Sequence, residues 1–216
     1  MLKRLAALTV LAVGSFSIAN AATFSGFFSA NGNDQFTSSS ITFFGAQVSG
    51  AIGGDFATYL TPGTSTTLGS PIVFLPGALP YHNGMNTPPN PPFTTGSAPL
   101  YQAFGSGGEV FTFNMTGYDA GLITDGSNGC VVGGTCLDVT GTGFFTATGP
   151  LSGTSGPATF VFTSQYAPGA TVASMTTFSA STSATGQPPI PEPASLALVG
   201  SGLLSAFGLI RRRLTA

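Results

Sequence analysis

Over residues 108–117 the chain reads GEVFTFNMTG, with an apolar residue at every second position. Phe111, Phe113 and Met115 point one way and Thr112 and Asn114 the other, which is the period of a half-buried strand. PATFVFTSQ, residues 157–165, repeats the pattern: Phe160 and Phe162 oppose Thr159, Val161 and Thr163. The same reasoning predicts strands over 23–29, 36–44, 68–75, 137–140, 144–148 and 172–178. Turn signals are expected between them at Asn31-Gly32-Asn33-Asp34, Gly53-Gly54-Asp55, Asp125-Gly126 and Thr154-Ser155-Gly156-Pro157. Many short strands separated by such turns predict an all-β body over 22–178, an antiparallel β-sandwich or jelly roll.

Two intervals break the pattern. Residues 75–100 are dense in proline and cannot pair as a central strand, so a long exposed loop is expected there. Loops on rigid scaffolds often carry function, and Tyr81, His82, Asn83 and Phe93 are its candidate ligand-contacting residues. The Ser/Thr/Gly stretch 179–190 is expected to be a flexible linker to the tail.

Composition narrows the class. Of 216 residues 42% are hydrophobic and 19 are Phe, enough to bury a core, yet only 6% are charged against a usual figure of about 25%. The 31 Gly and 16 Pro disfavour long helices in the body. All five basic residues stand at the ends, Lys3 and Arg4 at the front and Arg211, Arg212 and Arg213 at the back, while the seven acids lie between. A body without Lys or Arg cannot neutralise phosphates, so no nucleic-acid partner is expected.

The first residues, MLKRLAALTVLAVGSFSIANA, combine a basic start, an apolar run and the small-residue site Ala19-Asn20-Ala21. That is the layout of a secretory signal peptide over 1–21, cut after Ala21, which implies the Sec translocon and signal peptidase as partners. Export places the two cysteines in an oxidising compartment. Cys130 and Cys136 frame CVVGGTC, where a hairpin loop over Val132, Gly133 and Gly134 would set them opposite each other as a disulfide.

Catalytic signatures are sparse. His82 is the only histidine, and no Gly-x-Ser-x-Gly elbow, Walker loop or dinucleotide fingerprint occurs. Six acids in the body leave a paired-carboxylate mechanism open by composition alone. The Asx-Gly turns at 31–34 and 125–129 offer oxygen ligands without EF-hand spacing, and plain turns are the simpler expectation. The chain is expected not to be an enzyme and to need no cofactor or metal.

The end of the chain is the most specific stretch. Pro191-Glu192-Pro193 precedes 17 uncharged residues, 194–210, and then Arg211-Arg212-Arg213. As a helix, 17 residues span about 25 Å, short but sufficient for a transmembrane segment in a locally thinned bilayer, with the arginines held on the cytoplasmic side. In this order the three parts of 191–216 resemble a PEP-CTERM sorting tail, which is sometimes labelled an ice-binding-protein C-terminal domain; no Thr-x-Thr ladder accompanies it here. The resemblance implies processing by an integral-membrane exosortase near Pro-Glu-Pro, and delivery to the cell surface or extracellular matrix of a Gram-negative bacterium. The expected function is a non-enzymatic structural role there, associated with exopolysaccharide and biofilm. The alternative is a carbohydrate- or calcium-binding adhesion module using the 75–100 loop.

Overall fold

Residues 23–82, 84–86, 96–124, 130–170 and 174–186 are described by a computed structural model. Among them ten strands, one α-helical turn and one 3-10 turn follow in order: β1 (Gly26–Phe36), β2 (Ser40–Gly54), α1 (Phe56–Tyr59), β3 (Pro71–Phe74), β4 (Leu79–Pro80), β5 (Gly84–Asn86), β6 (Ala98–Phe104), the 3-10 turn (Ser106–Gly108), β7 (Val110–Thr124), β8 (Thr135–Thr148), β9 (Gly153–Tyr166) and β10 (Thr176–Ala184). All pairings between these strands are antiparallel.

The expected all-β antiparallel body is present, but its pairing closes on itself. β1 bonds to β10 on one side and to β2 on the other, so β1-β10-β9-β8-β7-β6-β3-β2 forms an eight-stranded barrel instead of two stacked sheets. Closure removes the edges that a sandwich would leave open. β4 on β2 and β5 on β7 continue the wall where β3 and β6 stop.

Several expected breaks are continuous strand. Asn31-Gly32-Asn33-Asp34 lies inside β1, with Asn31 and Asn33 facing out and Asp34 buried. The turn comes at 37–39, where Thr37 Oγ1 accepts from the backbone N–H groups of Ser39 and Ser40. Gly32 holds its strand place for a packing reason: a Cβ there would stand 2.2 Å from the Gly45 carbonyl oxygen and 2.7 Å from the Phe178 ring. The 137–140 and 144–148 segments are one strand, β8, because Gly143 lets its backbone run against Asn114, whose carbonyl oxygen would be 2.2 Å from any Cβ. The turn expected at 154–157 is part of β9, and the linker expected from 179 gives way to β10 as far as Ala184. In β10 Ser179, Ser181 and Ser183 face outward between the buried Phe178, Ala180, Thr182 and Ala184, so hydroxyl-rich composition hid a regular strand. Within 75–100, β4, β5 and the start of β6 pair with the barrel.

The interior is packed with aromatic rings. Tyr101 stacks with Phe113 at 5.5 Å between centroids, and its buried hydroxyl meets Thr182 Oγ1 at 2.7 Å. Burial pushes the Tyr101 phenol up, which keeps it a neutral hydrogen-bonding group at any physiological pH. Phe56, on the single turn of α1, plugs one end, with its ring 4.8 to 5.8 Å from those of Phe24, Phe28, Phe111 and Phe145. At the other end Phe36 stacks on Tyr166 at 4.2 Å, and the Tyr166 hydroxyl accepts from the Phe36 N–H and donates to its carbonyl. Outward positions carry mostly Thr, Ser, Asn and Gln, the reverse of a strand barrel seated in lipid. Among the described residues no helix is long and apolar enough to cross a membrane. The signal helix expected over 1–21 and the transmembrane helix expected over 194–210 fall outside the described residues.

Chain entry and exit share one end. Gly26 pairs with Ala184, Ser25 N–H donates to Asp55 Oδ2 at 2.8 Å, and Thr185 exchanges backbone hydrogen bonds with Gly156 and Pro157. The opposite end carries the 37–39 turn with Tyr81 bonded to it, the disulfide loop at 130–134 and the turn at 167–170.

Candidate functional site

The predicted site residues fall into three groups. Ala19, Ala21, Pro191, Glu192, Pro193, Arg211, Arg212 and Arg213 lie outside the described residues, as do Asn83 and Phe93 of the candidate loop. The disulfide between Cys130 and Cys136 is formed, with 5.8 Å between Cα atoms. The remaining loop residues, Tyr81 and His82, are placed by the barrel.

The disulfide differs from the expected cross-strand pair in one respect. Cys136 on β8 pairs in register with Ile123 on β7, while Cys130 lies on the connecting loop and its Sγ contacts the Ile123 carbonyl oxygen at 3.6 Å. The turn between the cysteines closes with Gly134 N–H donating to the Val131 carbonyl at 2.9 Å, and Gly133 takes the left-handed conformation at φ 75°. The bond thus folds the loop back on the start of β8, a local clip whose short ring stabilises by less than the roughly 3 kcal/mol of a 15-residue loop.

Tyr81 and His82 separate. Tyr81 is buried, and its hydroxyl donates to the Thr37 carbonyl, so it belongs to the packed end of the barrel and offers no open ring face. Burial, with a smaller contribution from Tyr166 beside it, pushes its phenol up to about 12. Tyr118 does the same for the neighbouring chain, donating to the Pro80 carbonyl. These tyrosines fasten the proline-rich connection to the barrel; sequence reading gave Tyr81 to the ligand because its neighbours were prolines, and β4 immediately before it was not legible. His82 is exposed.

The carboxylates are distributed, not gathered. Among the described residues no three His, Cys, Asp or Glu side chains cluster as metal ligands. Residues 31–34 do not form a calcium loop, because strand alternation sends Asn31 and Asn33 outward and Asp34 inward; residues 125–129 lie outside the described ones. Two carboxylates are fully buried. Glu109 Oε2 accepts from Leu151 N–H at 2.8 Å at the barrel end where β7 begins, and Asp34 Oδ1 accepts from Ser164 Oγ at 2.8 Å toward the opposite end. The second oxygen of each accepts no hydrogen bond.

Asp34 gives the barrel a pH dependence. Burial pushes its carboxyl from the ordinary 3.8 up to about 6, against smaller lowering effects of the Ser164 hydroxyl and of its own backbone N–H. The folded chain therefore keeps a proton that the unfolded chain has released. Its stabilising contribution is complete below pH 3.8 and is lost as pH rises through 6, a difference of about 2 to 3 kcal/mol. Urea unfolding at pH 4.5 and 7.5 should show the wild-type barrel more stable at the lower pH. Asp34→Asn should remove most of that difference; an unchanged difference would exclude Asp34 as its source.

Comparison with known proteins bears on the tail. The model of the PEP-CTERM protein-sorting motif matches residues 189–213. No curated protein and no solved structure matches the chain. The matched segment contains the Pro-Glu-Pro element, the uncharged run and the three arginines, in the order read from the sequence. The chain thus carries, behind an antiparallel barrel, a PEP-CTERM protein-sorting motif, the mark of an exported protein handed to an exosortase.

Proposed function

We propose that this is an exosortase-sorted protein of the cell surface or extracellular matrix, whose barrel serves a non-enzymatic structural role in an exopolysaccharide-rich biofilm. The sorting motif at 189–213 carries the reading. It is supported by a barrel in which the start of the first described strand lies beside the end of the last, so that the chain enters and leaves the barrel at one end. A wall wetted by hydroxyls and amides, with no basic residue between Arg4 and Arg211, suits a hydrated and crowded matrix. Packing supports it too: the barrel interior is filled by rings, and both buried carboxylates are closed off from solvent.

The test is the intact mass of protein recovered from the cell surface. Trypsin is of little use here, because between Arg4 and Arg211 there is nothing for it to cut. The expected mass lacks residues 1–21 and the end that includes Arg211, Arg212 and Arg213. Surface protein that still carries the arginines would mean a permanent anchor, and the sorting reading would fall.

A further inference from the structure

Two concavities of about 610 and 640 Å³ lie on the outer wall and meet at Thr177 and Phe178. Together they cross five neighbouring strands, from β2 through β1, β10 and β9 to β8. Four inter-strand steps of about 4.8 Å make this a groove of about 19 Å. Its floor is low for reasons legible in the register. Gly45 faces out with nothing within 4 Å of where its Cβ would be, and its β1 partner Asn33 pairs in turn with Thr177, a short residue. One end is walled by Val131 of the disulfide loop and by Pro168, and the groove lies toward the barrel end opposite the start of β1 and the end of β10.

The groove presents polar side chains that no neighbour on the wall engages. Several outward pairs elsewhere satisfy each other: Thr159 with Ser183 at 2.8 Å, Asn114 with Thr146 at 3.1 Å, Gln102 with Thr112 at 3.3 Å. In the groove Asn31, Asn33, Thr163, Ser179 and Asp138 make no side-chain hydrogen bond among the described residues. Register sets Asn31 beside Ser179, Ser179 beside Thr163 and Thr163 beside Asp138, so the open groups form a row perpendicular to the strands.

We propose that this groove binds a neutral polysaccharide chain. Amides and hydroxyls each donate and accept, which matches the hydroxyls of a sugar, and a carboxylate accepts from two of them at once. With no Lys or Arg in the body, the groove holds nothing to pair with a sulfate, phosphate or uronate. Val131, Ala167 and Pro168 supply an apolar wall for the C–H faces of the sugars. The groove itself is independent of the sorting reading; only its outward presentation on the cell rests on it.

Affinity electrophoresis of the mature protein recovered from cells tests this, in gels containing hydroxyethylcellulose, dextran or galactomannan, with alginate and glycol chitosan as charged probes. At least one neutral polymer is expected to retard the wild type. Asn31→Ala combined with Thr163→Val removes two uncharged hydrogen-bonding side chains and should weaken the apparent affinity about tenfold. Gly45→Leu, which fills the floor and takes nothing away, should weaken it as well, while Gln102→Ala on β6, off the groove, should not. Thermal midpoints of all three variants check that the barrel is intact. No retardation by any neutral polymer, retardation by a charged probe alone, or retardation unmoved in both groove variants would overturn the proposal. Intact mass measured on the same preparation keeps that failure distinct from a failure of the sorting reading.

Discussion

Phe56→Ala is expected to cost the barrel about 3 to 5 kcal/mol, the range for emptying a fully buried aromatic site. The position is unusual because one ring does two jobs. Phe56 is completely buried and contacts Phe24, Phe28, Phe111 and Phe145, which come from the entry segment and from three strands of the wall. It also anchors α1, a single turn of four residues that has no stability of its own and is closed by Leu60 N–H donating to the Phe56 carbonyl. Alanine leaves a cavity at the barrel mouth and frees the turn that covers it. Against a usual total of about 5 to 15 kcal/mol, that loss threatens folding at growth temperature. Chemical unfolding of exported protein measures it, and a thermal midpoint lower by about 10 °C should accompany it. Phe56→Leu keeps most of the volume and should lose less than half as much. A cost below about 1 kcal/mol for the alanine variant would mean that the end collapses around the gap.

Phe56 also marks what sequence reading could and could not reach. The alternation of Phe111, Phe113 and Met115, and of Phe160 and Phe162, placed those side chains on one face, and all five are buried. Gly53-Gly54-Asp55 was legible as a break, and β2 does end there. Closure was not legible, because inward and outward alternation is the same in a sandwich and in a barrel. The decision rests on β1 bonding in both directions, and its Asn-Gly-Asn-Asp segment reads as a turn by composition. Those residues form strand because Asn31 and Asn33 tolerate the outer face and Gly32 makes room for Phe178. Local preference was outweighed by a ring packed from the neighbouring strand β10.

The site was legible in a different proportion. Cys130 and Cys136 follow from six-residue spacing and an intervening Gly-Gly, although the loop position of Cys130 depends on where β8 begins. Tyr81 was misplaced because a two-residue strand leaves no periodic signal, and only the tertiary contact with Thr37 reveals its role. The groove had no sequence signature at all. Its polar residues come from strands distant in the chain, and what joins them is the register of β1 on β10 and of β9 on β8. The tail was the reverse case, since its meaning lies in the order of short segments and needs no partner from the body.

That independence makes deletion of Pro191-Glu192-Pro193 the other large expected effect. The last described strand ends at Ala184, so removing residues 191–193 leaves every described strand pairing in place. Folding, disulfide formation and export through the signal peptide should proceed as before. What changes is recognition. Two prolines deny the backbone two N–H donors and exclude helix between them, so a processing enzyme reads this element as an extended segment with one carboxylate. Without it the chain should accumulate in the inner membrane with the arginines attached, and surface protein should fall more than about tenfold, a change equal to losing only 1.4 kcal/mol of discrimination. Alanine at all three positions keeps the length and should give the same result, which separates recognition from mere reach. Fractionation with intact-mass measurement reads both outcomes. Undiminished surface protein, trimmed as in the wild type, would show that the sorting enzyme reads the uncharged run and the arginines without the Pro-Glu-Pro element.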